Sequence, residues 1–331
     1  AWALPKGDDY YAATLMAGAT GQIGPGISCD RLHREALDEI AKINTRLIPL
    51  LQAQGFKTGS VGARLHALAQ DTRYLYEDSA AGRAAAVADM NGWLAAARPA
   101  LARQFDWLPK DVSVEMAAPG KRGWRQAPAY DGSKAGAYYV DLRSIRARPH
   151  WSLRTVVHHE TLPGHLLQQP IQDKVAPPAL RVRATGMTYT EGWAIYGEEF
   201  CAELGLFDGD PLGEIGLWQS VLMRLARQLI DTGINYKRWS REQALATLSE
   251  VCGDMPEPLT AEVDRVVVQP GATAGQAIGR TAIWLLRRHA ESALKGRFDL
   301  KAFHDMVLNR GPVTIAMLQR MTDRFIAARQ G

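Results

Sequence analysis

Cysteine is scarce in this sequence. The 331 residues include three cysteines, Cys29, Cys201 and Cys252, whose odd number and wide spacing exclude a disulfide framework. No C-x-x-C pair occurs, which excludes the common cysteine-based zinc and redox sites. We therefore expect three small residues in or near the core, and cysteine usage leaves the compartment open.

Long apolar runs and long runs of like charge are also missing. No stretch approaches the roughly 18 uninterrupted apolar residues of a membrane-spanning helix, so we expect no transmembrane segment. The formal charge is +4, from 39 basic and 35 acidic residues, which predicts no nucleic-acid partner. The chain begins at Ala1 without an initiator Met or a leader, which predicts a processed product or the C-terminal part of a longer chain.

Helical patterns dominate what is present. Apolar residues make up 47% of the chain and charged residues 22%, the balance of a globular protein. From Asp30 to Gln54 apolar residues recur at helical spacing, and Gly55 follows as a stop. No linker divides the sequence, so we predict a single, mainly α domain over 1–331. Further helices are predicted from Ser79 to about Leu101, from the capping box at Ser240 to about Cys252, from about Thr273 to Leu294, from Asp299 to about Asn309, and from Val313 to Ala328.

The region from Phe105 to Pro149 has strand and turn signals instead. Residues 112–116 alternate between apolar and polar, as a half-buried strand does, and residues 137–142 resemble a second strand. Turn residues, among them Asp131-Gly132-Ser133, separate the two. We therefore expect a small β-element directly before the helix that carries the main motif.

That helix contains His159-Glu160, followed by Pro163-Gly164-His165. In the familiar H-E-x-x-H zinc motif two histidines four residues apart share one helix face. Here the second histidine comes six residues after the first, about 240° around an intact helix. The Pro163 ring would clash with the carbonyl of His159, so the helix must end or kink, and Gly164 gives the backbone freedom to return His165 toward His159. This segment alone is compatible with two interpretations, a metal site and a solvent-exposed His-Glu pair.

A candidate third ligand, Glu191, lies 26 residues after His165. A carboxylate from a following helix commonly completes a zinc site with two histidines. Glu198 is seven residues further on and shares the face of Glu191. The alternative is that Thr190 caps a helix, Glu191 lies in its first turn, and Glu198 and Glu199 are solvated. For Glu198 and Glu199 a role in supporting a metal ligand also stays open.

Short blocks spread over nearly the whole chain resemble the bacterial proteins classed as domain of unknown function 885, which look like gluzincin-type zinc peptidases. The blocks are Trp2-Ala3-Leu4-Pro5 with Asp9-Tyr10-Tyr11, Tyr130-Asp131-Gly132-Ser133 with Gly136, His159-Glu160 and Pro163-Gly164-His165 with Gln168, Glu191-Gly192-Trp193-Ala194 with Tyr196 and Glu199, Asp231-Thr232-Gly233-Ile234 with Trp239-Ser240, Pro270-Gly271 with Gly279, and Phe298-Asp299-Leu300-Lys301-Ala302-Phe303-His304.

The resemblance implies a largely α-helical, gluzincin-like domain that hydrolyses peptide or other amide bonds. It implies Zn²⁺ ligands at His159, His165 and Glu191, with Glu160 as the general base that takes a proton from water and delivers it to the leaving nitrogen. The strand at 138–142 would offer its edge to an extended peptide substrate. Export signals are frequent in this family, which favours the cell envelope over the cytoplasm. The oligomeric state stays open.

The chain also departs from the family pattern. Relatives often have histidine where this chain has Leu166 and Asn235, and commonly a Tyr-Lys pair where it has Gln276 and Ala277. A tyrosine would be a natural donor to an oxyanion, whereas Gln276 can donate a hydrogen bond but cannot act as an acid. These departures keep two alternatives open: a catalytically degenerate binding or scaffold protein, and an amidohydrolase for small non-peptide amides.

Two arginines on one predicted helix face, Arg224 and Arg227, are candidates to bind a substrate carboxylate. The alternative for Arg227 is a surface pair with Asp231, four residues later. His158 is either an alternative ligand to His159 or a residue behind the site or facing solvent. Further residues predicted in or behind the substrate site are Tyr139, Glu198, Gln276, Gln168, which would hydrogen-bond near the helix break, and Trp193, which would line the site.

Overall fold

The structure, a computed structural model, describes residues 1–18, 28–253 and 258–330. Helices make up 68% of the structure and strands 4%, which confirms the predicted mainly α fold with a small β-element. In the described part of the chain, no helix is long and apolar enough to cross a membrane. The α-helices are α1 Gly7–Gly18, α2 Cys29–Ala53, α3 Val61–Ala69, α4 Ala80–Ala102, α5 His150–Glu160, α6 His165–Val175, α7 Ala179–Glu203, α8 Pro211–Asn235, α9 Arg241–Cys252, α10 Leu259–Val268, α11 Ala274–Leu294, α12 Leu300–Leu308 and α13 Ile315–Gln330.

Local chemistry sets several helix ends. The side chains of Ser79, Ser240 and Asp299 cap α4, α9 and α12, each accepting a hydrogen bond from the backbone N–H three residues later. After α2, Gly55 has φ 97°, a left-handed conformation that glycine adopts without steric cost. These boundaries confirm the predictions made from capping residues. The three cysteines are free and buried, as expected.

Helices α5, α7 and α8 are packed around the apolar core and against one another. Gly216 on α8 lets this helix approach α5 closely, because a Cβ atom there would lie 2.1 Å from the carbonyl oxygen of Trp151. On α7, Gly192 makes the same kind of approach to Gly279 on α11, where a Cβ would lie 2.6 Å from the backbone of that residue. Small residues thus bring the backbones of these four helices close together.

A three-stranded sheet precedes α5 and consists of β1 Val112–Met116, β2 Trp124–Gln126 and β3 Gly136–Val140. Its strand order is β1-β3-β2, with β3 parallel to β1 and antiparallel to β2. Both edges of β3 are therefore paired, and the prediction that the strand at 138–142 offers a free edge is wrong. The missing partner is β2, which has three residues and is too short to show an alternating pattern.

Candidate metal centre and active site

Beyond the end of α5 the chain turns back, and this turn brings two histidine side chains together. Helix α5 ends at Glu160 and α6 begins at His165. Between them Gly164 lies against the preceding turn, where a Cβ would be 1.9 Å from the carbonyl oxygen of His159, so only glycine fits without a backbone shift. The Nε2 atoms of His159 and His165 are 3.2 Å apart. The six-residue spacing is thus compatible with a shared ligand because the helix breaks between the two residues.

Glu191 on α7 faces the same point. One of its carboxylate oxygens lies 3.3 Å from Nε2 of His165 and the other 3.5 Å from Nε2 of His159. Within the described residues, this is the one group of three histidine, cysteine or acidic side chains whose candidate ligand atoms all lie within 4.8 Å of one another. Glu191 lies in the middle of a helix that starts at Ala179, so the alternative with Thr190 as its N-cap is wrong.

The spacing of these ligand atoms fits a tetrahedral zinc site. Four ligands that each lie about 2.05 Å from zinc at tetrahedral angles are separated from one another by roughly 3.3 Å. The observed separations are 3.2, 3.3 and 3.5 Å. Two imidazoles and one carboxylate are also the donor set of several catalytic zinc sites, which keep a fourth position for water or substrate. The three residues therefore fit the ion in distance and in chemistry.

Glu198 supports His159 from behind. It is fully buried, and its carboxylate lies 2.6 Å from Nδ1 of His159 while accepting a hydrogen bond from the Ser220 hydroxyl at 2.8 Å. Burial raises the pKa of Glu198, but Arg224 and His159 outweigh it and leave the pKa below its ordinary value. An ionised carboxylate can only accept, so Nδ1 of His159 carries the proton and Nε2 faces the other ligands. The alternative of a solvated Glu198 is wrong.

The local charges also act on His159. Burial lowers its pKa, but hydrogen bonds to Glu191 and Glu198 outweigh burial and raise the pKa to about 9. This pair of carboxylates therefore attracts positive charge to the position between the two histidine rings. A proton on His159 satisfies that attraction in part, and a divalent cation on Nε2 would satisfy it with greater charge.

Glu160, the last residue of α5, borders a pocket of about 270 Å³ beside His159. Its carboxylate accepts a hydrogen bond from Nη1 of Arg125 on β2. Arg125 and Tyr138 are opposite residues of the β2–β3 ladder, so their side chains share the sheet face toward this pocket. Arg148, which precedes α5, also lines it. Sequence reasoning missed Arg125, Tyr138 and Arg148.

Comparison with known proteins gives the family. A family profile described as "Bacterial protein of unknown function (DUF885)" matches residues 1–321. The chain belongs to the DUF885 family. No curated protein matches it.

Two of the solved structures that are similar to this DUF885 chain are described as putative lipoproteins. The first is described as a "putative lipoprotein" from Colwellia psychrerythraea; it has a TM-score of 0.89 and 37% sequence identity, and the match covers 99% of this chain and 56% of that one. The second, a "putative lipoprotein of unknown function" from Shewanella oneidensis, has a TM-score of 0.78 and 18% identity, and the match covers 95% of this chain and 59% of that one. The second therefore supports the fold alone. This chain spans less than two thirds of the length of either.

The two arginines of α8 in the DUF885 chain have separate environments. Arg224 lines the pocket and lies 3.3 Å from Glu198. Arg227 instead donates to Glu262 on α10 at 2.7 and 2.9 Å. The predicted surface pair of Arg227 with Asp231 is wrong, because Asp231 is buried and accepts from other donors. The packing of α10 on α8 supplies Arg227 with a partner distant in sequence, which helical spacing alone cannot reveal.

The four positions of the DUF885 chain that depart from the family pattern differ in their surroundings. Gln276 contacts the candidate metal centre, since its side-chain amide donates to Glu191 at 3.4 Å and accepts from Arg227 at 3.3 Å. Asn235 donates to Asp231 at 3.2 Å. Leu166 and Ala277 are buried. Of these positions, Gln276 is the one that touches a candidate ligand.

Several predicted site residues of the DUF885 chain lie behind the site. Trp193 is fully buried and donates from Nε1 to the carbonyl of Pro163 at 2.9 Å, so it supports the helix break and does not line the pocket. The side-chain amide of Gln168 donates to Gln172 one turn along α6, at 2.9 Å, while its backbone N–H donates to the carbonyl of Gly164 in the break, at 3.1 Å.

Three further predictions for the DUF885 chain concern neighbours of the main motif residues. His158 is buried, with Nδ1 3.2 Å from the carbonyl oxygen of Leu162, and it is neither exposed nor in the ligand group. Tyr139 stacks on Trp124, on the sheet face opposite to that of Tyr138. Glu199 is buried and forms a two-bond ion pair with Arg280, so its predicted solvation is wrong.

Proposed function

We propose that this DUF885 protein is a zinc-dependent hydrolase of peptide or other amide bonds. The observation that carries the proposal is the ligand geometry: the facing atoms of His159, His165 and Glu191 are separated by 3.2 to 3.5 Å, as tetrahedral zinc requires. The buried Glu198 behind His159 adds the carboxylate–histidine pair that orients a zinc-binding imidazole.

The chain supplies the remaining parts of a hydrolytic site. Bound Zn²⁺ supplies a Lewis acid and lowers the pKa of a coordinated water. Glu160 adjoins a ligand and borders the pocket, so it is the residue to accept the proton from water and deliver it to the leaving nitrogen. Arg125 holds the Glu160 carboxylate in this structure, and that ion pair has to open for the carboxylate to act as a base.

A peptide is favoured over a small amide as the substrate. Among the described residues, strand β2 has no partner on one of its edges, and this strand borders a groove of about 770 Å³ whose lining also includes Gln169 and Asp173 of α6. An unpaired strand edge beside a groove can take an extended peptide through main-chain hydrogen bonds. β2, and not the predicted β3, would therefore be the strand that binds substrate.

The proposal is tested first by metal content. Wild-type protein is compared by elemental analysis with His159→Ala and Glu191→Ala, each checked for folding by circular dichroism. The expected result is near-stoichiometric zinc in the wild type and its loss from both folded variants. A folded wild type that takes up no zinc, even after reloading without chelators, would reject the proposal.

A second candidate is a zinc-binding protein without catalytic activity. The observation that favours it is the ion pair of Glu160 with Arg125, because a carboxylate bound to a guanidinium is a poor base. Zinc-loaded wild type is incubated with a diverse peptide library and the products are analysed by mass spectrometry. Zinc-dependent cleavage supports the hydrolase, and stoichiometric zinc without cleavage supports the binding protein.

We also propose that the protein works in the cell envelope. Both similar structures are described as putative lipoproteins, and lipid-anchored bacterial proteins are held at a membrane surface. Fractionation of cells that express the full-length native gene product tests this, with the envelope fraction as the expected location.

A further inference from the structure

The pocket of about 270 Å³ beside His159 has an apolar part and a basic part. Its size is near the lower end of small-ligand sites, which begin at about 300 Å³, so it suits a single amino-acid residue better than a longer peptide. Val156, Met223 and Cys252 form the apolar part of the lining, and Tyr138, Arg148 and Arg224 supply its donors.

The acidic residues that line the pocket already have partners. Glu198 accepts from Ser220 and contacts His159 and Arg224, and Glu160 accepts from Arg125. Neither carboxylate therefore depends on a ligand for compensation. Arg224 is also partly occupied, because its Nη1 donates to the carbonyl of Ser220 at 2.9 Å.

Arg148 and Tyr138, like the buried Thr155 hydroxyl, have no such partner among the described residues. Within the described residues, the guanidinium of Arg148 forms no hydrogen bond or ion pair, and neither does the Tyr138 hydroxyl. Tyr138 lines the pocket and is 6% exposed, so the residue is nearly buried. Burial, followed by the charge of Glu160, raises the pKa of Tyr138, which keeps the hydroxyl protonated. A free cation and a free hydroxyl donor in one small pocket are complementary to an anion with several acceptor atoms.

We propose that this pocket binds the C-terminal carboxylate of a peptide substrate through Arg148 and Tyr138, so that the protein removes single residues from peptide C-termini. This inference rests on the proposed hydrolase function. In the reaction, the oxygen of water bonds to the scissile carbonyl carbon, the carbon–nitrogen bond breaks, and the proton held by Glu160 passes to the leaving nitrogen. The released amino acid keeps its own carboxylate in the pocket, while its side chain lies against the apolar lining.

The test is a matched pair of substrates, an N-acetylated tripeptide with a free C-terminal carboxylate and the same tripeptide as the C-terminal amide. For zinc-loaded wild type we expect kcat/KM for the acid to exceed that for the amide by about 10- to 100-fold, the usual effect of a hydrogen bond to a charged group. In Arg148→Met the acid-to-amide ratio should fall toward one, through a higher KM for the acid. Arg146→Met, an exposed arginine two residues earlier, is the matched control and should keep the wild-type ratio.

Two results would overturn the inference. One is equal cleavage of acid and amide by the wild type, and the other is a preference for the acid that persists in Arg148→Met. A loss of kcat on both substrates in Tyr138→Phe, with the acid-to-amide ratio unchanged, would remove Tyr138 from carboxylate binding.

If the zinc-loaded wild type cleaves neither substrate, the proposed function fails. Binding of the same acid and amide, measured by calorimetry, then tests separately whether the pocket is a carboxylate site. Binding of the acid that Arg148→Met abolishes then supports the carboxylate site. Equal binding of the acid and the amide, or no binding of either, rejects it.

Discussion

Helix α8 contributes to two buried polar clusters, and the two are built in opposite ways. Near the end of the helix, Asp231 is surrounded by donors: it accepts from the Tyr11 hydroxyl at 3.1 Å, from the backbone N–H of Gly271 at 2.9 Å and from the Thr273 hydroxyl at 3.1 Å. Each carboxylate oxygen has at least one donor. A buried acid with this many internal donors fixes the positions of helices and loops and needs no ligand.

The other cluster is the candidate metal centre, to which α8 adds Ser220 and Arg224 behind Glu198. Here the groups that face one another, two imidazole nitrogens and a carboxylate, are all potential metal ligands, and they converge within 3.5 Å. Such convergence is costly for a buried site unless a cation or proton lies between the groups. The comparison shows that burial alone does not mark a functional acid; what its neighbours leave unsatisfied does.

The largest effect should come from removing the proposed general base, Glu160, while keeping the proposed metal ligands. Glu160→Gln preserves the size and hydrogen bonding of the side chain but cannot accept the proton from water. We expect kcat to fall by about 10²- to 10⁴-fold at unchanged zinc content. Steady-state kinetics with elemental analysis of the same samples measures both. Wild-type rates in the zinc-loaded variant would show that Glu160 is not the base.

The helix break should be the next most sensitive feature. In Gly164→Ala the new Cβ would meet the carbonyl oxygen of His159 at 1.9 Å, so the backbone must shift and His165 must move away from its partner ligands. We expect a loss of about 2 to 4 kcal/mol in the free energy of unfolding, together with weaker zinc binding. Gly92→Ala, at an exposed helical glycine with no atom within 4 Å of the new Cβ, is the control. Urea denaturation measures the stability of both variants. Equal stability of the two would contradict the expectation.

Removing the Glu198 carboxylate behind His159 should lower zinc affinity more than removing a carboxylate that only stabilises the fold. Glu198→Ala removes the acceptor of His159 Nδ1, and loss of such a partner typically lowers metal affinity about 10- to 100-fold. Glu203→Ala, on the same helix but half-exposed and paired with Arg287, is the matched control. Competition with a chelator of known zinc affinity measures both. If the two variants bound zinc equally, Glu198 would belong with Asp231 among the structural acids.

Most of the helical fold could be predicted from the sequence because its signals are local. Ser79, Ser240 and Asp299 cap helices through contacts with residues three positions away, which the sequence displays directly. The return of His165 toward His159 also follows from a local cause, the Pro163-Gly164 break. The alternative in which Thr190 caps a helix puts the start of α7 too late, because no polar capping residue marks its true start after Pro178.

The pocket could not be predicted, because its donors depend on tertiary pairing. Ala137-Tyr138-Tyr139-Val140 has an aromatic residue on each face of the strand, so the sequence does not reveal which tyrosine faces the site. The β2–β3 register decides this, placing Tyr138 beside Arg125 and Tyr139 beside Trp124. Helical spacing likewise offers Asp231, four residues away, as a surface partner for Arg227, although its partner is Glu262 on another helix.

The smallest effect on function should come from the Asp231 cluster, which makes it the sharpest check of the comparison. Asp231→Asn turns one acceptor oxygen into a donor that faces other donors, Thr273 or Gly271, and an unsatisfied buried group costs about 1 to 3 kcal/mol of stability. Zinc content and kcat should stay at the wild-type level, because Asp231 shares no contact with the ligand group. Thermal unfolding and elemental analysis of one preparation test both statements. A folded Asp231→Asn protein that had lost its zinc would show that the two clusters are coupled along α8, and donor satisfaction would then no longer separate a structural acid from a functional one in this protein.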